Sequence, residues 1–202
     1  PSDVYGACLT AYVLKQLSEQ DYNFIRCLPC QMRYQIEGLV VQLAHNIPNK
    51  NYGREWLPNN NQAVFDHQVA DDVDLAVYGH THTPVMRTTS QGQLIINPGS
   101  VGNPFSLWRK FKTDQHAQYA IVTIMGMEIQ SDFRRVSYDV RDELQVAQRV
   151  DLPYLSLYEK TLYNGSGFAH DEQATAAANY DKHYELGVAH FLADYKKSIL
   201  KQ

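Results

Sequence analysis

The stretch Val77-Tyr78-Gly79-His80-Thr81-His82, with Asn97-Pro98-Gly99-Ser100-Val101-Gly102 downstream, decides how this chain is read. Apolar residues run into a glycine, two histidines follow at i and i+2, and a second turn of small residues comes later. If the extended backbone continues through the histidines, residues two apart share a side and both imidazoles reach one site.

Working outward, residues 39–44 form a largely apolar run that reads as a buried strand and leads straight into His45-Asn46. A histidine at the carboxyl end of such a strand lies where open α/β sheets place their ligands. Just upstream, Met32, Tyr34 and Ile36 alternate with polar residues, and Glu37-Gly38 makes the turn between the two strands. Residues 47–61 hold two prolines, five asparagines, a glycine and Lys50, the composition of a surface loop long enough to touch a ligand. A helix is expected over 62–69 and a strand over 74–78. Hairpins are expected for 85–89 with 94–96, and for 119–124 with 127–133.

The two ends of the chain read as helical. Ser2 is placed to cap a helix carrying Val4, Ala7, Cys8, Ala11, Tyr12 and Leu14, and Ser18 to start a second one that Pro29 ends. After Tyr138, helices are expected over 139–150, 153–163 and 171–197, with Asn164-Gly165-Ser166-Gly167 as a break. The expected division is a core over 1–137 and a helical C-terminal extension over 138–202.

Apolar content of 44% and charged content of 20% fit a folded globular chain. A net charge of −4 argues against a general nucleic-acid surface, so no nucleic-acid polymer is expected as a partner. No apolar run is long enough for a membrane span, and residues 1–4 show no secretory signal. Three cysteines, Cys8, Cys27 and Cys30, are an odd count, which favours a reducing compartment and a cytoplasmic location. Cys27 and Cys30 have the C-x-x-C spacing without a second pair, and read as incidental.

Three histidines therefore fall at strand ends: His45, His80 and His82. Neutral imidazole suits zinc, manganese and iron, so a shared metal site is the natural functional reading. His67, His116, His170, His183 and His190 lie outside any motif and read as surface or capping residues. Lys50, Arg54 and Arg109 are candidates for contact with a substrate phosphate, against the plainer reading of solvated charges.

Gly79-His80-Thr81-His82, the segment Leu94-Ile95-Ile96-Asn97-Pro98-Gly99-Ser100-Val101-Gly102 and the strand ending in His45 together resemble the calcineurin-like metallophosphoesterase superfamily. Leu43-Ala44-His45-Asn46 with Lys50-Asn51-Tyr52-Gly53 is similar to a bacterial phosphoesterase subgroup proposed to include diadenosine tetraphosphate hydrolases. The resemblance implies an α/β fold, the C-terminal part of a four-layer α/β/β/α sandwich. It implies two divalent or trivalent ions (manganese, iron or zinc), with His45 and His80 on the second and His82 on the first. Pro98, Gly99 and Ser100 then form a tight turn beside the site. The implied reaction is hydrolysis of phosphoesters or phosphoanhydrides by a metal-bridging hydroxide. The implied partner is a phosphorylated small molecule, a nucleotide such as a diadenosine polyphosphate. Lys50 and Arg109 are the substrate-binding candidates.

The same resemblance exposes a departure. The family's Asp-x-His, Gly-Asp and Gly-Asn-His motifs, expected before the strand ending in His45, are not found here. They would supply the bridging aspartate, most ligands of the first ion and the general-acid histidine. Three imidazoles cannot bridge or neutralise two ions, so the residues given are expected to bind metal weakly and not to turn over. The expectation is that an N-terminal segment is missing. Its lost strands would leave a sheet edge open to association, including a homo-oligomer. The alternative reading is a non-catalytic scaffold for protein interaction, a role that gives no reason to retain the three histidines.

Overall fold

The computed structural model describes residues 1–165, 167–169 and 171–199, so Ser166 and His170 lie outside the described residues. The chain divides into two compact units, residues 29–138 and a helical unit formed by Pro1–Leu28 with the chain from Asp139 onward.

The first unit is built on a five-stranded sheet of order β1-β2-β3-β5-β4. Its strands are β1 (Gln31–Ile36), β2 (Leu39–Ala44), β3 (Leu75–Tyr78), β4 (Val85–Thr88) and β5 (Leu94–Asn97). β2, β3 and β5 run parallel, with Ala44 level with Tyr78 and Val77 level with Ile96. The hairpin partners β1 and β4 are antiparallel and form the two edges. A second sheet is the hairpin β6 (Ala117–Met125) and β7 (Glu128–Val136).

Alternation along the parallel strands divides the core in two. Ala76, Tyr78 and Ile95 face one way, onto Ile47, Trp56, Phe65, Val69 and Val73. Val41, Leu75 and Ile96 face the other way, onto Val122, Ile124, Ile129 and Phe133 of the β6–β7 hairpin. A helix-and-loop layer, a parallel sheet and a second sheet therefore stack in that order, as period-2 patterning on strands buried on both faces requires. Trp56 departs from the reading of 47–61 as a surface loop. It is fully buried, 4.4 Å from the Tyr78 ring and stacked at 6.3 Å on Phe65. It pins the loop to the core.

The other unit comprises α1 (Ser2–Gln16), α2 (Glu19–Cys27), α4 (Val140–Arg149), α5 (Leu155–Asn164), α6 (Glu172–Lys182) and α7 (Tyr184–Ile199), while α3 (Gln62–Asp66) belongs to the first. α1 packs on α6 and α7. Buried Asn179 accepts from the Tyr154 hydroxyl at 2.5 Å and donates to the Pro1 carbonyl at 3.2 Å. Ser18 forms the expected cap, reinforced by Asp21 in a capping box. Ser2 does not cap α1. It is the first helical residue, and its hydroxyl donates to Glu172 at 2.7 Å. The helix expected over 171–197 is two helices, broken where His183 takes a left-handed conformation at φ 53°.

Asp114 ties the loop before β6 to β7, accepting from His116 and pairing with Arg135 at 2.6 Å each. Burial alone would raise its carboxyl, but the His116 hydrogen bonds and the Arg135 charge outweigh this and hold it below the ordinary range. A depressed carboxylate contributes stability that is present above its unfolded value, near 3.9, and lost as pH falls through the lower folded value. Asp114→Asn is therefore expected to flatten the acid limb of stability below about pH 4, read as urea midpoints across pH 2–6.

Candidate metal centre

Three parallel strands deliver their carboxyl ends to one edge of the sheet, and the motif residues begin there. β2 ends in Ala44 and passes to His45, β3 ends in Tyr78 and passes to Gly79, and β5 ends in Asn97. The Gly79 amide donates to the His45 carbonyl at 3.0 Å, which locks the first two exits together. This is the carboxyl-edge position at which open α/β sheets bind ligands.

The extended backbone expected through the histidines is not what forms. β3 stops at Tyr78, and His80 and His82 both adopt left-handed conformations, at φ 50° and 55°. Thr81 between them closes a tight turn onto the Gly79 carbonyl at 2.5 Å. Non-glycine residues hold this region only where the surroundings over-determine it. Asn97 supplies that constraint. It is fully buried, donates from Nδ2 to the Gly79 carbonyl at 2.5 Å and to Thr81 Oγ1 at 2.9 Å, and accepts from the Gly99 amide at 2.9 Å. Gly99 sits at φ 94°, where an added Cβ would lie 2.3 Å from Gln118 Oε1. The small-residue turn is thus a clamp on the histidine loop.

The imidazoles have defined partners. His80 Nε2 lies 2.9 Å from the Gly53 carbonyl, so in the neutral ring this nitrogen carries the proton and Nδ1 keeps its lone pair. That lone pair faces His45 Nε2 at 3.2 Å. His82 Nδ1 donates to the Asn103 carbonyl at 2.8 Å, leaving Nε2 as its free lone pair. A ring N–H fixed on a backbone carbonyl is the arrangement that orients metal-ligating histidines. Burial, then the charges of His80 and His82, lower the His45 value. Burial also lowers His82, with His80 adding and the Asn103 hydrogen bond opposing. Both rings are therefore neutral, and able to donate a lone pair, near pH 7.

Two imidazole nitrogens 3.2 Å apart can serve one ion. With bonds of about 2.1 Å they subtend roughly 100°, between octahedral and tetrahedral angles. Without an ion, the same contact is a hydrogen bond with a single proton between the rings. Among the described residues, no three His, Cys, Asp or Glu side chains are grouped so as to hold an ion. The donors fit part of a site for one ion. They do not fit a two-ion centre, which needs a carboxylate to bridge and to offset charge.

The other candidates fall into the two loops that hold the histidines. Lys50 shares a loop with Gly53, and its ammonium is committed to Glu55 at 2.5 Å and lies 4.7 Å over the Tyr52 ring. Gly53, at φ 116°, is required there, because a Cβ would fall 2.0 Å from Glu55 Oε2. Arg109 is exposed on a one-turn helix beyond Asn103. Asn97 stood inside the quoted motif, but its clamping role was not read there. The signal was a polar residue closing an apolar strand. The carbonyls of Gly53 and Asn103 carry no sequence signal.

The model of the calcineurin-like phosphoesterase superfamily domain matches residues 3–127, and the chain belongs to that superfamily. A hypothetical protein from Pyrococcus horikoshii OT3 is similar in structure, with a TM-score of 0.62 and 19% identity over 75% of this chain. A metallophosphoesterase from Sphaerobacter thermophilus is also similar, with a TM-score of 0.52 and 22% identity over 75% of this chain. The matched regions span 57% and 64% of those two proteins. At these identities the likeness establishes the fold. A search of curated proteins finds no match. Among the described residues, no helix is long and apolar enough to cross a membrane.

Proposed function

We propose that this chain carries part of the site of a metal-dependent hydrolase of phosphoesters or phosphoanhydrides, with a nucleotide such as a diadenosine polyphosphate as substrate. The observation that carries this reading is the convergence of His45 Nε2 and His80 Nδ1 at 3.2 Å, with the far nitrogen of His80 fixed on the Gly53 carbonyl. His45 and His80 would hold one ion of manganese, iron or zinc, and His82, through its free Nε2, would add one ligand to a second site that these residues alone do not complete. Such an ion supplies Lewis-acid stabilisation of phosphoryl oxygens and lowers the pKa of water. The chain's own contribution is to hold three imidazoles at the sheet edge, with the rings of His80 and His82 oriented by backbone carbonyls. Lys50 and Arg109 would meet the phosphate, Lys50 by exchanging its Glu55 partner. With no carboxylate in the group, the residues given would turn over weakly or not at all.

That no carboxylate joins the histidines among the described residues favours a second reading, a non-catalytic scaffold. An assay separates the two. In the polypeptide its gene encodes, manganese-dependent hydrolysis of bis-p-nitrophenyl phosphate or diadenosine tetraphosphate is expected, and His82→Ala is expected to lower it by at least about a hundredfold. Undiminished activity in His82→Ala would sink the hydrolase assignment. No activity in the unaltered polypeptide would leave the scaffold.

A further inference from the structure

A cavity of about 340 Å³ opens beside the histidine loop, within the unit of residues 29–138, and the reading above does not use it. Its walls include Phe105, Phe111, Phe133 and Pro98, with Gln118 and Arg135 as polar members. Volumes of this order, mostly apolar walls and a few convergent polar groups are the usual make-up of small-molecule sites. Aromatic walls favour a planar ring over an aliphatic chain, through face and edge contacts.

Gln118 makes the cavity more than an apolar gap. The residue is 5% exposed, and its carboxamide Oε1 is buried without a hydrogen-bond partner. Leaving such an acceptor unsatisfied is costly; it packs against Gly99, and turning the carboxamide toward the cavity would let it accept an N–H from a ligand. The charged wall residues are already paired, Arg135 with Asp114 and Arg134 with Asp132, so the cavity suits an uncharged ring system. The phosphate end of a substrate belongs elsewhere.

The wall is also tied to His82. The Phe105 amide donates to the His82 carbonyl at 3.0 Å, and the Thr83 hydroxyl donates to the Phe105 carbonyl at 2.9 Å. The Asn103 carbonyl accepts from His82 Nδ1 at 2.8 Å. One segment, residues 103–105, thus both walls the cavity and orients the imidazole.

We infer that this cavity binds the heteroaromatic base of the substrate, stacking it between the phenylalanines and pairing an exocyclic N–H with Gln118. The inference deepens the phosphohydrolase reading and rests on it for the word substrate, but base binding can be measured without turnover. Adenosine, which has no phosphate, is the probe, titrated into the protein by calorimetry, with purine riboside as the analogue lacking the amine.

Adenosine is expected to bind, and purine riboside to bind about fivefold more weakly, the factor for one hydrogen bond. Phe111→Ala, at an exposed wall position that the fold does not depend on, is expected to weaken adenosine about tenfold. Gln118→Leu is expected to abolish the preference between the two nucleosides. No adenosine binding at millimolar concentration, or equal affinity in wild type and Phe111→Ala, overturns the assignment. Adenosine binding that responds to Phe111 in a protein that neither binds manganese nor hydrolyses phosphoesters supports the cavity and removes the catalytic reading.

Discussion

Asn97→Leu is expected to destabilise the unit of residues 29–138 by about 3–5 kcal/mol and to release the histidine loop. The substitution keeps the branching and the number of heavy atoms but replaces both donors and the acceptor of the side chain with bulkier methyl groups. The Gly79 carbonyl, Thr81 Oγ1 and the Gly99 amide would each lose a partner in a buried setting. A stranded buried polar group costs about 1–3 kcal/mol, which sets the total. The loss is not only one of stability. His80 and His82 hold positive φ because the loop is clamped on both sides of Thr81. Released, the loop relaxes and the His45–His80 juxtaposition goes with it. Urea unfolding reads the first effect, and metal affinity measured well below the unfolding midpoint reads the second. A variant that loses stability but keeps wild-type metal affinity would show that the clamp is merely structural.

Trp56→Ala carries the other large effect, about 3–5 kcal/mol from lost burial and the cavity left behind. The indole is fully buried between Phe65 and Tyr78, and the backbone carbonyl of Trp56 accepts from the Tyr78 hydroxyl at 2.9 Å. Its removal should also loosen the loop that presents the Gly53 carbonyl to His80. Trp56→Phe keeps an aromatic packing partner and is expected to cost less than half as much, since most of the buried volume is retained. Equal stabilities for the alanine variant and the wild type would mean that the loop is not anchored by this residue.

Much of this was legible in the chain itself. Alternation in residues 31–44 and 75–78, with turn residues between the hairpins, placed all seven strands within a few positions of where they lie. The strand-end histidines were visible because a short apolar run leading into Gly-His-Thr-His has few other uses. The shape of that loop was not visible. Extended and left-handed backbones both leave residues two apart able to converge, and only the tertiary clamp by Asn97 selects the second. Trp56 was missed because its neighbours, asparagines and prolines, carry the composition of a surface loop. Burial of one side chain by a core formed far away in sequence leaves no local trace. The break at His183 was hidden for a related reason, because no glycine or proline stands at the break itself and Gly187 lies four residues further on, inside α7.

The claim at the centre is that His45 and His80 present two nitrogens to one ion, while among the described residues no carboxylate joins them to hold a second. Equilibrium dialysis of the chain against manganese and zinc tests it directly. The expected result is weak binding of about one ion per chain, lost in His80→Ala and strongly reduced in His45→Ala. Two tightly held ions per chain, or binding that survives His80→Ala unchanged, would contradict it.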